Sequence, residues 1–205
     1  MKIECVTVTG LMETNCYFLI DGDGHGFVID PGAEGEALTG LIRERGWTIE
    51  AILLTHGHFD HIGGVEAIRE ACGIPVRIHE NGERILTDPA VNLSGLWGMP
   101  CVIRDADYFR DGDLLTLNGK PALRVIHAPG HTSDSVILLC EEEKTAFVGD
   151  TIFKGTYGAT HFPTGDWDVL MHSIREKVLT LPDDTVLLSG HTEATTVGTE
   201  RRYYR

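Results

Sequence analysis

Within six residues the chain places three imidazoles and a carboxylate: His56, His58, Asp60 and His61, in Thr55-His56-Gly57-His58-Phe59-Asp60-His61. Imidazole nitrogen and carboxylate oxygen together suit divalent transition metals such as zinc, iron or manganese. Further donors stand at the ends of other apolar runs. Leu123-Arg124-Val125-Ile126 leads into His127-Ala128-Pro129-Gly130-His131, Thr145-Ala146-Phe147-Val148-Gly149 leads into Asp150, and Thr185-Val186-Leu187-Leu188-Ser189-Gly190 leads into His191. Loops at one end of a rigid sheet converge in space, and sites are usually built there.

His56, His58, Asp60, His61, His131, Asp150 and His191 suffice for two adjacent metals. His56 and His58 lie two apart on extended chain and aim at one ion, with His131 completing the face. Asp60, His61 and His191 hold a second. Asp150, with two carboxylate oxygens, is the candidate bridge, and Asp60 and Asp150 are taken as the catalytic carboxylates. Two cations about 3.5–4 Å apart lower the pKa of a shared water and supply hydroxide at neutral pH. The expected chemistry is hydrolysis by that bridging hydroxide, with no Ser/His/Asp triad required and no GxSxG elbow present.

Strands must carry these loops. Alternation predicts strands over 2–9, 14–20 and 26–30, linked by the turn Asp21-Gly22-Asp23-Gly24 and ended by Asp30-Pro31-Gly32. Residues 34–45 read as an amphipathic helix capped by Gly46, 50–55 as a buried strand, and 61–72 as a helix with Asp60 and His61 at its start. A strand follows at 75–79 and a helix at 80–87. Residues 88–103 are irregular, and this loop either closes over the site or is pinned to the core by Trp97. Short strands are expected at 113–117, 121–127, 135–140, 145–149 and 185–189. The helix at 167–179 is expected to bury Trp167, Leu170, Met171, Ile174 and Val178 on one face. The tail, 201–205, is expected to dock on the surface or help an oligomer contact. The order fits an α+β fold of one domain, residues 1–205, with two mixed sheets face to face and helices outside.

Composition narrows the function. A net charge of −14 and no basic stripe argue against nucleic acid. No apolar run reaches membrane-spanning length, and Met1-Lys2-Ile3-Glu4-Cys5-Val6 lacks a signal peptide's apolar stretch, so a cytoplasmic protein is expected. Five cysteines, widely spaced and without CxxC, argue against a disulfide framework. Cys5, Cys16, Cys72 and Cys140 read as buried, inert thiols. His127 is expected to orient a ligand or pack beneath the site. His25, His79 and His172 read as structural.

The motif Thr55-His56-Gly57-His58-Phe59-Asp60-His61, with Pro129-Gly130-His131-Thr132, Gly149-Asp150 and Gly190-His191, resembles the ligand pattern of the metallo-β-lactamase-fold superfamily. The resemblance spans nearly the whole chain and implies a four-layer αβ/βα sandwich with a dinuclear site on its edge, zinc being the first expectation and iron or manganese the others. Asn92-Leu93-Ser94 and Gly190-His191-Thr192-Glu193-Ala194-Thr195-Thr196 are similar to loops of the short glyoxalase II-like hydrolases, which implies a small thioester or ester substrate. Asn92, Tyr157 and His161 are the substrate contacts this likeness suggests, although Ala159 and His161 stand where the short relatives usually show Arg and Asp. The alternative within the superfamily is a persulfide dioxygenase-like oxidoreductase using one iron held by His56, His131 and Asp150. Acidic charge argues against a nuclease, the missing export signal against a β-lactamase, and Phe153 in place of Tyr against a lactonase. A non-catalytic binding module would be expected to have lost ligands, and none is missing.

Overall fold

The computed structural model describes residues 1–204. Twelve strands form two six-stranded sheets. In the first, β1 (Lys2–Thr9), β2 (Glu13–Ile20) and β3 (His25–Ile29) run antiparallel. β4 (Thr48–Leu53), β5 (Val76–His79) and β6 (Asp107–Phe109) then add in parallel. In the second, β7 (Leu114–Leu117), β8 (Lys120–His127), β9 (Val136–Cys140) and β10 (Thr145–Gly149) are antiparallel. β11 (Val186–Ser189) lies parallel to β10, and β12 (Thr195–Thr196) closes the edge antiparallel. Both sheets are therefore mixed, as expected.

The strands read as near-continuous apolar runs because both of their faces are buried. Tyr17, Leu19, Phe27, Ile29 and Leu53 point between the sheets, against Leu115, Val125, Leu138 and Phe147. Their neighbours Phe18, Val28 and Ile52 point outward, under α1 (Gly35–Arg45) and α3 (Val65–Cys72), where Leu38, Ile42, Val65 and Ile68 meet them. On the far side, α5 (Trp167–Ser173) and the π-helical turn Ile174–Val178 set Leu170, Ile174 and Val178 on Ile137, Ala146 and Val148. Each such side chain stabilises the fold by about 1.5–3 kcal/mol on burial. That exceeds any propensity term in the short helices, whose residues differ by less than about 1 kcal/mol each. The order is helix, sheet, sheet, helix: the four-layer sandwich.

Several expectations are corrected. The helix expected over 61–72 is broken into α2 (Phe59–Ile62) and α3. The break falls at Gly63-Gly64, where the Gly64 N–H leaves the helical ladder and donates to Pro31 O at 2.8 Å. The expected helix at 80–87 begins as a 3-10 turn (Glu80–Gly82) before α4 (Glu83–Thr87). Trp167 is 50% exposed, because it opens α5 above the core rather than facing it. Cys5 is exposed on the edge strand and Cys72 only partly covered, whereas Cys16 and Cys140 are buried. In the tail, Arg201 donates to Leu179 O and Leu181 O and Tyr204 to Thr156 O, so the chain end docks on its own surface. Arg205 lies outside the described residues.

The ligand-bearing loops leave one edge of the sandwich. β4, β8, β10 and β11 all end there, and cross-links fix the sheets to each other at that level. Val136 N donates to Thr55 O at 2.9 Å, Asn15 N to Gly190 O at 2.7 Å, and the Tyr17 hydroxyl to Ser189 O at 2.7 Å.

Candidate metal centre

After β4 the chain runs extended through His58 and then closes the single turn α2, with His61 N donating to His58 O at 2.9 Å. That switch turns His56 and His58 to one side and Asp60 and His61 to the other. All four are buried, His61 completely. β8 delivers His131, β10 Asp150 and β11 His191 to the same place. Two glycines make the approach possible. Gly149 has φ +49°, and a Cβ there would strike Thr55, while a Cβ on Gly190 would strike Asp150 Oδ1 and stand 2.6 Å from His61 Cε1.

The seven side chains fall into two sets with one member between them. The rings of His56, His58 and His131 lie 4.7–4.9 Å apart and near perpendicular, at 80–90°. Nδ1 of His58 faces Nε2 of His131 at 2.9 Å. In the second set, His191 Nε2 is 3.1 Å and His61 Nε2 3.7 Å from Asp60 Oδ2. Asp150 faces both: its Oδ1 is 3.4 Å from His61 Nε2, and its Oδ2 is 3.3 Å from His191 Nε2 and 3.7 Å from His131 Nε2. Donor atoms of His56, His58 and His131, of His56, His61 and Asp150, and of Asp60, His61 and His191 each lie within 4.8 Å of one another.

The donor set fits divalent cations on a structural ground of its own. Nε2 of His56, His58, His61 and His191 and Oδ1 of Asp150 are buried without a hydrogen-bond partner. One such orphan costs about 1–3 kcal/mol, so those of His56, His61, His191 and Asp150 gathered in one place point to a missing charge, while His58 turns its Nδ1 there. The outer nitrogens are spoken for. His131 Nδ1 donates to Ala159 O at 2.7 Å, His191 Nδ1 to Glu13 O at 2.7 Å, and His61 Nδ1 to Asp30 Oδ2 at 3.0 Å. Carbonyl and carboxylate oxygens can only accept here, so each of these imidazoles keeps a proton on Nδ1 and turns its Nε2 inward.

Asp30 is the residue the sequence reading missed. Its Oδ1 accepts from Thr55 N at 2.8 Å, and its Oδ2 accepts from the Thr55 hydroxyl at 2.6 Å besides His61. It stands at φ +51°, just past β3. The signal was present in Asp30-Pro31-Gly32, read there only as the end of a strand. Asp134 was also missed. It is wholly buried, neither carboxylate oxygen has a hydrogen-bond partner, and burial pushes its carboxyl up to about 6.

Electrostatics divides the two sets. Burial, reinforced by neighbouring imidazoles, holds His56 well below the usual histidine value and His58 at about 3. Burial also lowers His131. His61 and His191 go the other way: burial would lower them, but Asp150 and Asp60 outweigh it, taking His61 well above its ordinary value and His191 to about 10. Burial alone would raise the two carboxyls, yet His61 and His191 hold Asp60 below and Asp150 well below the carboxylate range. The first set is thus neutral at pH 7, while the second balances its carboxylates with protons that a cation would displace.

A cavity of about 310 Å³ opens onto Asp60, His131, Asp150 and His191. None of the three expected substrate contacts lines it. Asn92 is fully buried, and its amide is used up within its own loop. Nδ2 donates to Cys101 O at 2.8 Å, while Oδ1 accepts from Ser94 N at 3.0 Å and Ser94 Oγ at 2.6 Å. The Tyr157 hydroxyl instead accepts from Trp167 Nε1 at 3.3 Å. His161 is exposed and lies against Phe162, and it is Phe162 that reaches the cavity. Trp97, 58% exposed, leans over the cavity, so of the two readings of residues 88–103 the overhanging one is found, with Asn92 and Ser94 as the pins. His127 stacks on His79 at 4.0 Å and donates to Ser133 O, touching no ligand; packing, not orientation, is its role.

Comparison with known proteins follows the same lines. The sequence model of the metallo-beta-lactamase superfamily matches residues 9–191. A probable metallo-hydrolase of Bacillus subtilis (YqgX) is 40% identical over 94% of this chain and 91% of its own length. The hydroxyacylglutathione hydrolase GloC of Haemophilus influenzae is 34% identical over 98% of this chain and 96% of its own. Among solved structures, the BLEG-1 B3 metallo-beta-lactamase superposes with a TM-score of 0.92 at 37% identity, covering 98% and 97% of the two chains. TTHA1623, in a di-iron-bound form, gives 0.88 at 33% identity, covering 98% of each.

Proposed function

The chain belongs to the metallo-β-lactamase superfamily, and from that premise we propose that it is a dinuclear metallohydrolase cleaving a small thioester or ester. His56, His58 and His131 would hold one cation and Asp60, His61 and His191 the other, with Asp150 shared. When bound, such a pair lowers the pKa of a water and polarises the scissile carbonyl. The observation that carries the reading is the position of Asp150, with one carboxylate facing His131 of the first set and His61 and His191 of the second.

The protein's own groups would do the rest. Asp60 lines the cavity and stays anionic, so its carboxylate accepts and orients the proton of the attacking water. Asp30, acting through His61, and Ala159 O, acting through His131, keep the imidazoles aimed. Trp97, Phe153 and Phe162 wall the reacting carbonyl off from bulk water, which strengthens every charge interaction inside. The name of the Haemophilus influenzae relative supports a thioester carbonyl as the group attacked.

Zinc is the first expectation for the native metal, and the di-iron-bound relative supports iron as the other occupant. The test is elemental analysis of protein purified without added metal, followed by a thioester and ester hydrolysis screen. Iron-dependent oxygen uptake on glutathione persulfide, without hydrolysis, would replace this reading with the oxygenase one.

A further inference from the structure

The cavity over the metal ligands is walled, apart from those ligands, by apolar side chains. These are Met12, Phe59, Leu93, Leu96, Trp97, Phe153, Ala159 and Phe162, with no lysine or arginine among them. A second cavity, also about 310 Å³, adjoins it and shares Met12, Phe59 and Asp60. Its walls are Leu11, Ala33, Met99 and Cys101, with glycines and one charged residue of its own, Glu34. Leu11, Met12, Leu96, Trp97 and Met99 are each 47–69% exposed, and all five belong to two loops at this mouth. Five large apolar side chains exposed together are not what a solvated rim needs. The nearby cation Lys154 is already paired with Glu193.

We infer that the substrate is an uncharged acyl thioester or ester with an apolar chain. Its carbonyl sits at the metal ligands, and its chain runs out between Trp97 and Met12 into the second cavity, over Leu11 and Met99. This rests on the hydrolase reading above and narrows it. A carboxylate-bearing thiol such as glutathione would bring negative charge into a mouth that holds Glu34 and offers no cation in return, a desolvation cost with nothing to offset it. A methylene chain would cover the five exposed side chains, and each buried CH₂ strengthens binding by at most about four-fold.

The test uses the metal-loaded protein and acyl thioesters of N-acetylcysteamine, an uncharged thiol, from acetyl through butyryl and hexanoyl to octanoyl, with S-D-lactoylglutathione alongside. kcat/KM should climb along the acyl series and should be lowest for lactoylglutathione. Binding is read separately, without turnover, from tryptophan fluorescence with the non-hydrolysable methyl and octyl thioethers of the same thiol and with S-methylglutathione. The octyl compound should bind tightest. Met99→Arg, which places a cation in the second cavity, should shift the preference from the octanoyl ester toward lactoylglutathione. A flat acyl series, equal binding of the methyl and octyl thioethers, or faster turnover of lactoylglutathione than of the octanoyl ester would overturn the inference while leaving a hydrolase. Chain-length-dependent binding with no hydrolysis of any thioester would support the assigned ligand class and sink the hydrolase reading instead.

Discussion

Oδ2 of Asp30 lies 3.0 Å from Nδ1 of His61, and the same oxygen accepts the Thr55 hydroxyl at 2.6 Å. One carboxylate from β3 thus fixes both the ring of a second-set ligand and the backbone from which His56 springs. Asp30→Ala should weaken binding at the second site by roughly 10–100-fold, the usual cost of losing such a partner. The first site should weaken less, because His131 and His58 do not touch Asp30 and only His56, through Thr55, is linked to it. Calorimetric titration of metal-free protein reads the two steps apart. Equal weakening of both, or of neither, would refute the assignment.

Asp150→Ala should deplete both metals and abolish hydrolysis, since Asp150 faces ligands of both sets. Asp60→Ala should deplete only one, since Asp60 approaches His61 and His191 alone. Elemental analysis after dialysis decides it. Two full-occupancy metals in Asp150→Ala would show that this carboxylate does not bridge.

The split protonation of the two sets predicts how the metal-free protein responds to pH. His58, at about 3 in the fold against 6.5 free, contributes stability that is present above 6.5 and lost as pH falls toward 3. His191, at about 10, contributes stability that is full below 6.5 and lost as pH rises toward 10. Melting curves with and without chelator should therefore diverge as pH rises from about 6.5, because bound metal takes over the role of the His191 proton. Parallel curves across that range would contradict the charge balance described.

Asp134 predicts the opposite of a usual core substitution. Its folded value of about 6 exceeds its ordinary 3.8, so its favourable term is present below 3.8 and lost as pH rises through 6. At pH 7 the fold holds an ionised carboxylate without a hydrogen-bond partner. Asp134→Asn should raise stability at pH 7 by on the order of 2 kcal/mol, and the gain should shrink toward pH 4. Chemical denaturation at the two pH values checks this; a gain that does not change with pH would mean the carboxyl is not charged in the fold.

The sequence made the seven donors readable because each stands in the segment that leaves a strand, and the strands' apolar runs announced themselves. What it hid depends on facing. Asp30 does its work behind the ligands, so a carboxylate ending a strand looks like any other turn residue. Asn92 sits in a loop whose pattern does not say whether its amide turns to the cavity or to Ser94 and Cys101. The strand β6 was passed over because three residues, with Tyr108 exposed and Phe109 buried, leave no periodicity to read. The helix break at Gly63-Gly64 comes from a long-range hydrogen bond to Pro31, which local propensity does not contain.

The most direct test is a titration: hydrolysis of an acyl thioester as zinc is added to metal-free protein, with binding followed on the same samples. Two cations sharing Asp150 predict a rate that continues to climb to two equivalents per chain and then levels. A rate already complete at one equivalent, or no hydrolysis with both sites filled, would contradict it.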